Sequence, residues 1–355
     1  MRLTLTSLFF LFAFAGHSQF SSVRKNQEIV FYPGVVRPST DGKGWDLELN
    51  GCVYKLDQRR VGLALFRDAL GLDHIKMSEA ENTLFTERAR LFMADHKGGR
   101  QVVIRLGDKS YSVGKSGKDG RFSGLIHLSE ADLAALRSGP SPLCAVLPGD
   151  DTRRFSCPVD FFDGQGVTVI SDIDDTIKVT QVRDRQAMFR KTFLEPFAAV
   201  PGMADVYRSW AEKSKAQFCY VSASPWQLFL PLSEFVQSNG FPSGTFYLKQ
   251  FRLKDESFWG LFQNPEKYKP TVIEPLMKRF PHRKFILVGD SGERDPEVYG
   301  ALARRFPKQV IKIFIRDVTN DPPDAERFQR AFRNVPPPCW KVFREPSEIA
   351  GALDD

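Results

Sequence analysis

The stretch V-T-V-I-S-D-I-D-D-T, residues 167–176, decides the fold, because a short apolar run ends there in three carboxylates. A short run rich in β-branched residues predicts a buried strand. Asp172 and Asp174 stand two apart on extended chain, so their side chains leave on the same face and can share one ligand. Crowded carboxylates repel each other unless a cation or a shared proton relieves the repulsion. The stretch therefore predicts a buried strand that ends in a paired acidic site.

Further apolar runs follow at 218–221, 284–288 and 311–315, with amphipathic segments between them. This alternation predicts a parallel α/β sheet covered on both faces. Polar clusters directly follow the first three strands: D-I-D-D-T at 172–176, S-A-S at 222–224 and G-D-S-G-E-R-D at 289–295. Because ligands of open α/β sheets bind outside the carboxyl ends of the strands, we expect the three clusters to converge on one crevice.

These clusters predict a Mg²⁺ site. Mg²⁺ prefers oxygen ligands, so carboxylates, a backbone carbonyl, waters and a substrate phosphate suit it, and Asp290 with Asp295 would complete the site from a neighbouring strand end. The cation would also let an anionic carboxylate approach an anionic phosphate. A solvated Asx turn at Asp172 and Asp174 would leave the other two clusters unexplained. A D-x-D metal site of the nucleotide-sugar transferase type is a further alternative.

The first half of the chain has a different pattern. Short β-prone runs at 28–32, 45–49, 102–106 and 121–127, separated by Gly and Asp, predict a small β-sandwich. Residues 59–93 favour helix, and we expect one or two helices laid against that sheet. Four prolines between residues 140 and 158 indicate a domain boundary. We therefore expect an accessory domain over 19–159 and an α/β domain over 160–355.

The first residues predict a secretory signal peptide over 1–18. Arg2 forms a small basic region, 8–16 is an apolar or small run, and Ala13-Phe14-Ala15 is an A-x-A cleavage signal, with a second cut expected after Ser18. The protein would then be secreted or periplasmic, where disulfides form. The five cysteines allow at most two bridges, and Cys219, in an apolar run, is the expected leftover thiol.

Composition sets broader bounds. The 355 residues are 42% apolar and 26% charged, which excludes disordered, collagen-like and disulfide-miniprotein classes. The net charge of +7 makes the surface attractive to phosphate-bearing partners and leaves nucleic acid, anionic lipid and phosphomonoesters all open. No stretch reaches the roughly eighteen apolar residues that a membrane span needs, and the histidines show no metal-ligand spacing.

The run S-D-I-D-D-T-I-K at 171–178 resembles the first motif, D-x-D-x-T, of the haloacid dehalogenase superfamily. Within that superfamily, V-S-A-S-P-W-Q-L at 221–228 and G-D-S-G-E-R-D-P-E-V-Y at 289–299 resemble phosphatidate phosphatases of the actin-patch-protein type. The similarity covers roughly residues 160–320, and it departs from the family at Ala223, where Asn is common, and at Tyr268, where His is. The resemblance implies a Rossmann-like parallel sheet with little or no cap.

The resemblance also implies a role for each motif residue. Asp172 would be the nucleophile that forms an aspartyl-phosphate, and Asp174 the general acid and then the general base. Ser222 would donate to a phosphoryl oxygen, and Lys269 would neutralise charge. The substrate-binding set is Thr176, Ser224 and Trp226, and the Mg²⁺ set is Asp172, Asp174, with its backbone carbonyl, Asp290 and Asp295.

Two of these assignments have alternatives. Lys267 lies two residues before Lys269 and leaves the choice of lysine open, whereas a capping box at Thr271 and Glu274 would put Lys269 at a helix amino terminus. Pro275 favours a helix that starts close by. Ser222 has the alternative of being a turn residue.

The expected function is hydrolysis of a phosphomonoester, most simply phosphatidate to diacylglycerol and phosphate. The intervals 177–221 and 223–268 leave little room for a cap, so the crevice should be open and suit a bulky ester. Trp259 and Phe262 are the preferred rim residues, and most other aromatics near them are expected in the core. A phosphatase for another bulky ester and a non-catalytic phosphate- or lipid-binding module are the alternatives; no nucleic-acid partner is expected.

Overall fold

The computed structural model describes residues 19–56, 60–138, 143–250 and 265–353. In the first half, the strands are β1 (Glu28–Pro38), β2 (Trp45–Lys55), β3 (Asp95–His96), β4 (Gln101–Leu106), β5 (Lys109–Lys115), β6 (Arg121–Leu128), β7 (Leu143–Ala145), β8 (Ser156–Cys157) and β9 (Val159–Phe161). The helices there are α1 (Arg60–Ala69), α2 (Glu79–Phe92) and α3 (Glu130–Ser138). The four strands predicted in this half are confirmed, and β1 and β2 run longer than predicted.

These strands form two sheets. The first has the order β3-β2-β1-β9 with β6 also on β2, and the second has the order β5-β4-β7-β8. All pairs are antiparallel except β1 with β9. Buried residues of both sheets, such as Val36 and Leu47 from the first and Val102 and Ile104 from the second, share one apolar cluster. Since β9 pairs with β1, the chain leaves the first sheet after residue 161.

The alternating pattern predicted a parallel sheet with four strands, and the described part of the second half forms a parallel sheet of six. Its strands are β10 (Val167–Ser171), β11 (Gln217–Pro225), β12 (Gly244–Lys249), β13 (Lys284–Asp290), β14 (Val310–Arg316) and β15 (Trp340–Phe343). Their order is β12-β11-β10-β13-β14-β15, and every neighbouring pair is parallel. β10 is therefore a central strand, which explains why its residues are almost all buried.

Helices connect these strands: α4 (Arg185–Phe193), α5 (Met203–Lys213), α6 (Phe229–Ser238), α7 (Pro265–Arg279), α8 (Asp295–Arg305) and α9 (Glu326–Ala331). Short 3₁₀ turns lie at Trp226–Leu228, Pro337–Cys339 and Pro346–Ile349. No described helix is long and apolar enough to cross a membrane. The chain is thus a mixed α/β protein with a parallel sheet and additional, mainly antiparallel sheets.

The helices α1 and α2 have a second partner that the sequence did not predict. α2 begins at a capping box, in which Ser78 accepts from the Glu81 amide and the Glu81 carboxylate accepts from the Ser78 amide. Phe66 of α1 and Phe92 of α2 then pack on Phe193 of α4, with ring centroids 5.5 Å apart in both pairs. The helices therefore share a core with the parallel-sheet region as well as with the first sheet.

Arg88 of α2 strengthens the same junction. Its buried guanidinium donates to the backbone oxygens of Thr192 and Glu195 at distances of 2.7 and 2.8 Å and lies over the Phe197 ring. Thr192 lies in the last turn of α4 and Glu195 follows its end, and the last backbone oxygens of a helix have no partner within the helix. A residue of the first half thus completes the hydrogen bonding of a helix in the second half.

The structure corrects one predicted feature, shows the state of the cysteines, and leaves other predicted features outside the described residues. α7 begins at residue 265, so Thr271 is inside the helix, its hydroxyl donates to the Tyr268 oxygen, and the predicted capping box is not formed. None of the five cysteines, all of which are described, forms a disulfide, and Cys219 is buried with Thr245 as its hydroxyl donor. The predicted signal peptide and the preferred rim residues Trp259 and Phe262 lie outside the described residues.

Candidate active site

Asp172 lies immediately after the central strand β10 and is 1% exposed. Its amide donates to the Val288 oxygen of β13, which extends the strand pairing by one residue and fixes the backbone. The Thr176 hydroxyl donates to Asp172 Oδ2 at 3.1 Å. The carboxylate is therefore held at the carboxyl end of the sheet, with Oδ1 left for another partner.

That partner is Lys269, which is fully buried on α7. Its Nζ lies 2.9 Å from Asp172 Oδ1 and 3.2 Å from Glu293 Oε2, and it also donates to Asp295 Oδ1. Burial opposes its charge, but these carboxylates outweigh burial and hold the pKa of Lys269 well above its usual value. Lys267 is exposed, so the structure brings Lys269 rather than Lys267 to Asp172.

The loop after β13 delivers Asp290 and Asp295 to the same place. Asp290 Oδ1 accepts from the amides of Gly292 and Glu293, at 2.6 and 3.2 Å, and the Asp290 amide donates to Asp295 Oδ2 at 3.2 Å. Gly289 permits this close approach, because a Cβ there would lie 2.1 Å from Asp295 Oδ2. The glycine is therefore required by space and not by its backbone angles.

The donor set fits a divalent cation. One carboxylate oxygen from each of Asp172, Asp290 and Asp295 lies within 4.8 Å of the others, and Asp290 Oδ2 is buried with no hydrogen-bond donor in the described part of the chain. Burial and the neighbouring carboxylates raise the pKa of Asp172 and of Asp290 well above the usual range, and burial raises that of Glu293 to about 7. One ammonium does not balance this cluster, and a hard cation with oxygen ligands would.

Asp174 belongs to a separate hydrogen-bond network. Its Oδ2 accepts from the hydroxyls of Ser222 and Ser224, at 2.9 and 2.8 Å, while Oδ1 accepts from Thr180 at 2.8 Å and lies 2.8 Å from Lys178 Nζ. Burial opposes ionisation, but the Lys178 charge and these hydrogen bonds outweigh it and hold the pKa of Asp174 near 2. The carboxylate is therefore an anion in this conformation.

Asp175 organises the loop that follows. It adopts a left-handed backbone conformation with φ of 55°, which Asp tolerates better than most residues. Its carboxylate accepts from the amides of Thr180, Gln181 and Val182 at 2.7 to 2.8 Å. Arg316 of β14 donates to the Asp175 oxygen at 2.7 Å. The loop that carries Asp172 and Asp174 is thus tied both to itself and to a neighbouring strand.

Other predicted residues have contacts that their expected roles did not include. Ser222 and Ser224 both donate to Asp174. Trp226 is half-buried and stacks on Tyr32 of β1, with ring centroids 3.9 Å apart. Thr176 contacts Asp172 and is fully buried. The structure therefore gathers the three predicted polar clusters at one edge of the sheet and packs Trp226 against the first half of the chain.

The sequence did not single out Lys178, Thr180 or Glu293, which all contact predicted site residues. Lys178 stands at the end of the first motif, but no site role was predicted for it, because lysines are usually solvated. Its signal was present, since it follows Asp174 by four residues and is the one basic residue in the run S-D-I-D-D-T-I-K at 171–178. Glu293 lay inside the G-D-S-G-E-R-D run but was given no role.

Comparison with known proteins assigns this region. Residues 167–317 match the family model described as the catalytic domain of phosphatidate phosphatase APP1. Residues 167–317 therefore carry the sequence pattern of this catalytic domain. The APP1-type region spans β10 to the end of β14 and so contains Asp172, Ser222, Lys269, Asp290 and Asp295. The resemblance stated from the motifs is confirmed.

Two curated relatives extend the similarity beyond the APP1-type region. Phosphatidate phosphatase APP1 of Saccharomyces cerevisiae is 31% identical over 256 residues, which is 70% of this chain and 43% of that protein. An uncharacterized protein of Schizosaccharomyces pombe is 33% identical over 184 residues, which is 48% of this chain and 28% of that protein. The chain therefore spans less than half the length of the relatives it matches.

Proposed function

We propose that this chain is a Mg²⁺-dependent phosphatidate phosphatase of the haloacid dehalogenase type, which releases phosphate and diacylglycerol through an aspartyl-phosphate on Asp172. One observation supports it above the others. One carboxylate oxygen from each of Asp172, Asp290 and Asp295 lies within 4.8 Å of the others, and the buried ammonium of Lys269 lies 2.9 Å from Asp172. That arrangement pairs an anionic nucleophile with the positive charge needed to receive a phosphate group.

In the first step, an Asp172 oxygen attacks phosphorus in line with the ester oxygen. The Asp172 O–P bond forms, the bond from phosphorus to the glycerol oxygen breaks, and the electron pair leaves on that oxygen. Thr176 and the Asp172 amide keep the carboxylate in place, which reduces the entropic cost of the encounter. Lys269 offsets the negative charge that accumulates on the phosphoryl oxygens.

In this proposal, Asp174 transfers a proton in each of the two steps. The leaving glycerol oxygen needs a proton, and the aspartyl-phosphate is then cleaved by a water that must lose one. Asp174 is ionised in the described conformation, which suits the second role directly. Delivering a proton in the first step requires the carboxyl group to be protonated and to turn away from Lys178, whose charge opposes protonation.

Mg²⁺ would be held by Asp172, Asp290 and Asp295 with the Asp174 backbone oxygen, and when bound it would lower the repulsion between Asp172 and the phosphate group. Asp174 enters the predicted metal set through that oxygen alone, because its carboxylate is engaged by Lys178, Thr180 and the two serines. The buried cluster of carboxylates around the Lys269 ammonium supports a divalent cation of this kind.

The lipid substrate rests on the relatives and on the expected openness of the crevice. The name of the Saccharomyces cerevisiae relative states phosphatidate as its substrate. We extend this substrate to the present chain, with contact to an anionic membrane favoured by the net charge of +7. We further propose that the two sheets of the first half form a β-sandwich and that the chain is exported after cleavage near residues 15–18.

The test measures phosphate release from phosphatidate vesicles and from soluble phosphomonoesters, with Mg²⁺ or EDTA, by the wild-type chain and by Asp172→Asn. We expect release that prefers vesicles, requires Mg²⁺ and disappears in the variant. Turnover of soluble esters alone would contradict the lipid substrate and keep the chemistry. Absence of turnover with every ester, by folded Mg²⁺-loaded protein, would contradict the phosphatase and favour a binding module.

A mass increase at Asp172 after acid quenching would identify the covalent intermediate. Trapped protein digested with protease should show one phosphate on the peptide that contains residue 172, and none in Asp172→Asn. An unmodified peptide under conditions of rapid turnover would contradict the aspartyl-phosphate. Amino-terminal sequencing of protein recovered outside the producing cell would test the export proposal separately.

A further inference from the structure

The ammonium of Lys269 is saturated by carboxylates. A lysine ammonium has three protons to donate, and among the described residues three acidic side chains lie around it: Asp172, Glu293 and Asp295. Lys269 is fully buried, so water does not compete for these protons. A phosphoryl oxygen can therefore reach Lys269 only when one of the three carboxylates gives up its place.

Two of the three carboxylates are firmly held. Asp172 accepts a second hydrogen bond from Thr176, and its backbone is fixed by the pairing with β13. Asp295 accepts from the Asp290 amide and lies against Gly289, where not even a Cβ would fit. Both are only 1% exposed. Displacement of either would remove hydrogen bonds at the predicted nucleophile or at the metal set.

Glu293 is held differently. Its carboxylate lies at the longest of the measured distances from Nζ, 3.2 Å, and its side chain is 14% exposed. Lys269 is the hydrogen-bond donor recorded for this carboxylate among the described residues. The backbone, by contrast, is fixed, because the Glu293 amide donates to Asp290 Oδ1 and the Glu293 oxygen accepts from Arg327. The side chain can therefore turn outward while the loop stays in place.

We propose that Glu293 is a positioning residue that occupies the phosphate-group position on Lys269 in the free protein and turns outward when a phosphate group binds. The proposal rests on the proposed function, since it requires that Lys269 receives the phosphoryl group. Glu293 then competes with bound phosphate for the same ammonium, which keeps the Lys269 charge balanced between turnovers and favours departure of the product.

The closest alternative is that Glu293 is a fourth ligand of the metal. The two roles predict opposite effects of Glu293→Gln, which removes the charge and keeps the size of the side chain. As a competitor, the wild-type carboxylate weakens phosphate binding, so its neutralisation strengthens it. As a ligand, the carboxylate strengthens metal binding, so its neutralisation weakens both metal and phosphate binding.

The experiment measures inorganic phosphate binding to the full Mg²⁺-loaded chain by calorimetry, for wild type, Glu293→Gln and the charge control Glu326→Gln. Glu326 is 82% exposed on α9, so its change alters net charge equally and leaves Lys269 untouched. We expect phosphate to bind about tenfold more tightly to Glu293→Gln, because a charged hydrogen bond that competes with phosphate is lost. The phosphate affinity of Glu326→Gln should equal that of the wild type. The Mg²⁺ affinity should stay within about threefold of wild type.

Kinetics supply a second readout that a purely structural role would not produce. KM for phosphatidate should fall in Glu293→Gln together with kcat, because substrate binds more readily and phosphate leaves more slowly. Unchanged or weaker phosphate binding by the folded variant would overturn the proposal, and a large loss of Mg²⁺ affinity would assign Glu293 to the metal instead. Wild-type protein that neither binds phosphate nor turns over any ester would overturn the phosphatase proposal itself, and this one with it.

A measurement on the wild-type chain covers the case in which the variant does not fold. A crystal structure with Mg²⁺ and inorganic phosphate should show a phosphate oxygen within hydrogen-bond distance of Lys269 Nζ and the Glu293 carboxylate turned away from it. A Glu293 carboxylate still bonded to Lys269 beside bound phosphate would overturn the proposal.

Discussion

The rings of Tyr32 and Trp226 stack across the junction between the two halves of the chain, with their centroids 3.9 Å apart. Tyr32 is buried on β1, and Trp226 begins the turn that directly follows Ser222 and Ser224. Phe229 meets the edge of the same tyrosine ring at 5.1 Å. The first sheet therefore packs directly against the segment that positions the hydroxyl donors to Asp174.

Truncation of Tyr32 should destabilise both halves together. Tyr32→Ala is expected to lower the free energy of unfolding by about 3 to 5 kcal/mol, because a large buried aromatic is replaced by a cavity. Urea unfolding followed by tryptophan fluorescence and by circular dichroism should give coincident, single transitions for both proteins. Leu125→Ala, at a residue that is 60% exposed on β6, is the control and should change little. Two separated transitions in the wild type would contradict a shared core.

Neutralisation of Asp290 should have opposite effects on stability and on metal binding. In EDTA, Asp290→Asn should raise the free energy of unfolding, because it removes an ionisable carboxyl group from a buried cluster of carboxylates around a single ammonium. The same change should raise the Mg²⁺ concentration for half-maximal activity at least about tenfold. Thermal unfolding in EDTA and a Mg²⁺ titration of activity measure the two effects.

The matched control for this prediction is Asp132→Asn in the first half. The Asp132 carboxylate accepts from Ser129 and Tyr111, and these bonds with Lys109 outweigh burial and hold its pKa near 2. Its neutralisation should lower stability and leave the Mg²⁺ requirement unchanged. If Asp290→Asn also destabilised the protein in EDTA, repulsion within the carboxylate cluster would not lower the stability of the folded state.

A single added methyl group at Gly289 should displace Asp295. A Cβ at this position would lie 2.1 Å from Asp295 Oδ2, so Gly289→Ala forces the carboxylate away from Lys269 and from the Asp290 amide. We expect activity to fall by about a hundredfold or more, with a loss of about 1 to 3 kcal/mol in unfolding free energy. Gly149→Ala, where a Cβ would have no atom within 4 Å, should leave both unchanged. Wild-type activity in Gly289→Ala would contradict the role of this close approach.

The carboxyl group of Asp160 should make stability depend on pH. Burial raises the pKa of Asp160 to about 6, above its value of 3.8 in unfolded chain. The folded state therefore binds the proton more tightly, and this contribution to stability is full below about pH 4 and is lost as pH rises through about 6. Relative to Asp160→Asn, the wild type should lose roughly 2 kcal/mol between pH 4 and 7, after a discount for its partial exposure.

Urea unfolding of both proteins at several pH values in EDTA measures this difference, and the acidic groups of the site cancel because both proteins contain them. A difference that does not change with pH would mean that Asp160 titrates normally in the folded protein. A difference of opposite sign would require a cationic partner for the carboxylate.

The sequence predicted four of the six described strands of the parallel sheet and the meeting of its polar clusters, because both follow from local patterns. Continuous apolar runs mark β10, β11, β13 and β14, and the topology of parallel strands brings their carboxyl ends to one edge. The outer strands β12 and β15 were missed, since G-T-F-Y-L-K and W-K-V-F are short and lie among aromatic or polar neighbours. The convergence of the polar clusters was thus more predictable than the number of strands in the sheet.

Contacts between distant segments could not be predicted in the same way. The pattern at 59–93 predicted helices but not their packing on Phe193, because periodicity states which face is apolar and not which partner covers it. Lys178 and Glu293 were missed for a related reason. Charged side chains are usually solvated, and only the fold reveals that these two are enclosed with opposite charges.

The contacts of Arg88 have a practical consequence for work with parts of this protein. A fragment cut to residues 167–317 would lose Arg88, the rings that cover Phe193, and the strand β15 that covers the edge of β14. It would expose both an unpaired strand edge and bare aromatic surface, and each of these promotes intermolecular association. A minimal fragment that carries the site must therefore also include the helices α1 and α2 and the strand β15. The same holds for a design that places the site in another scaffold.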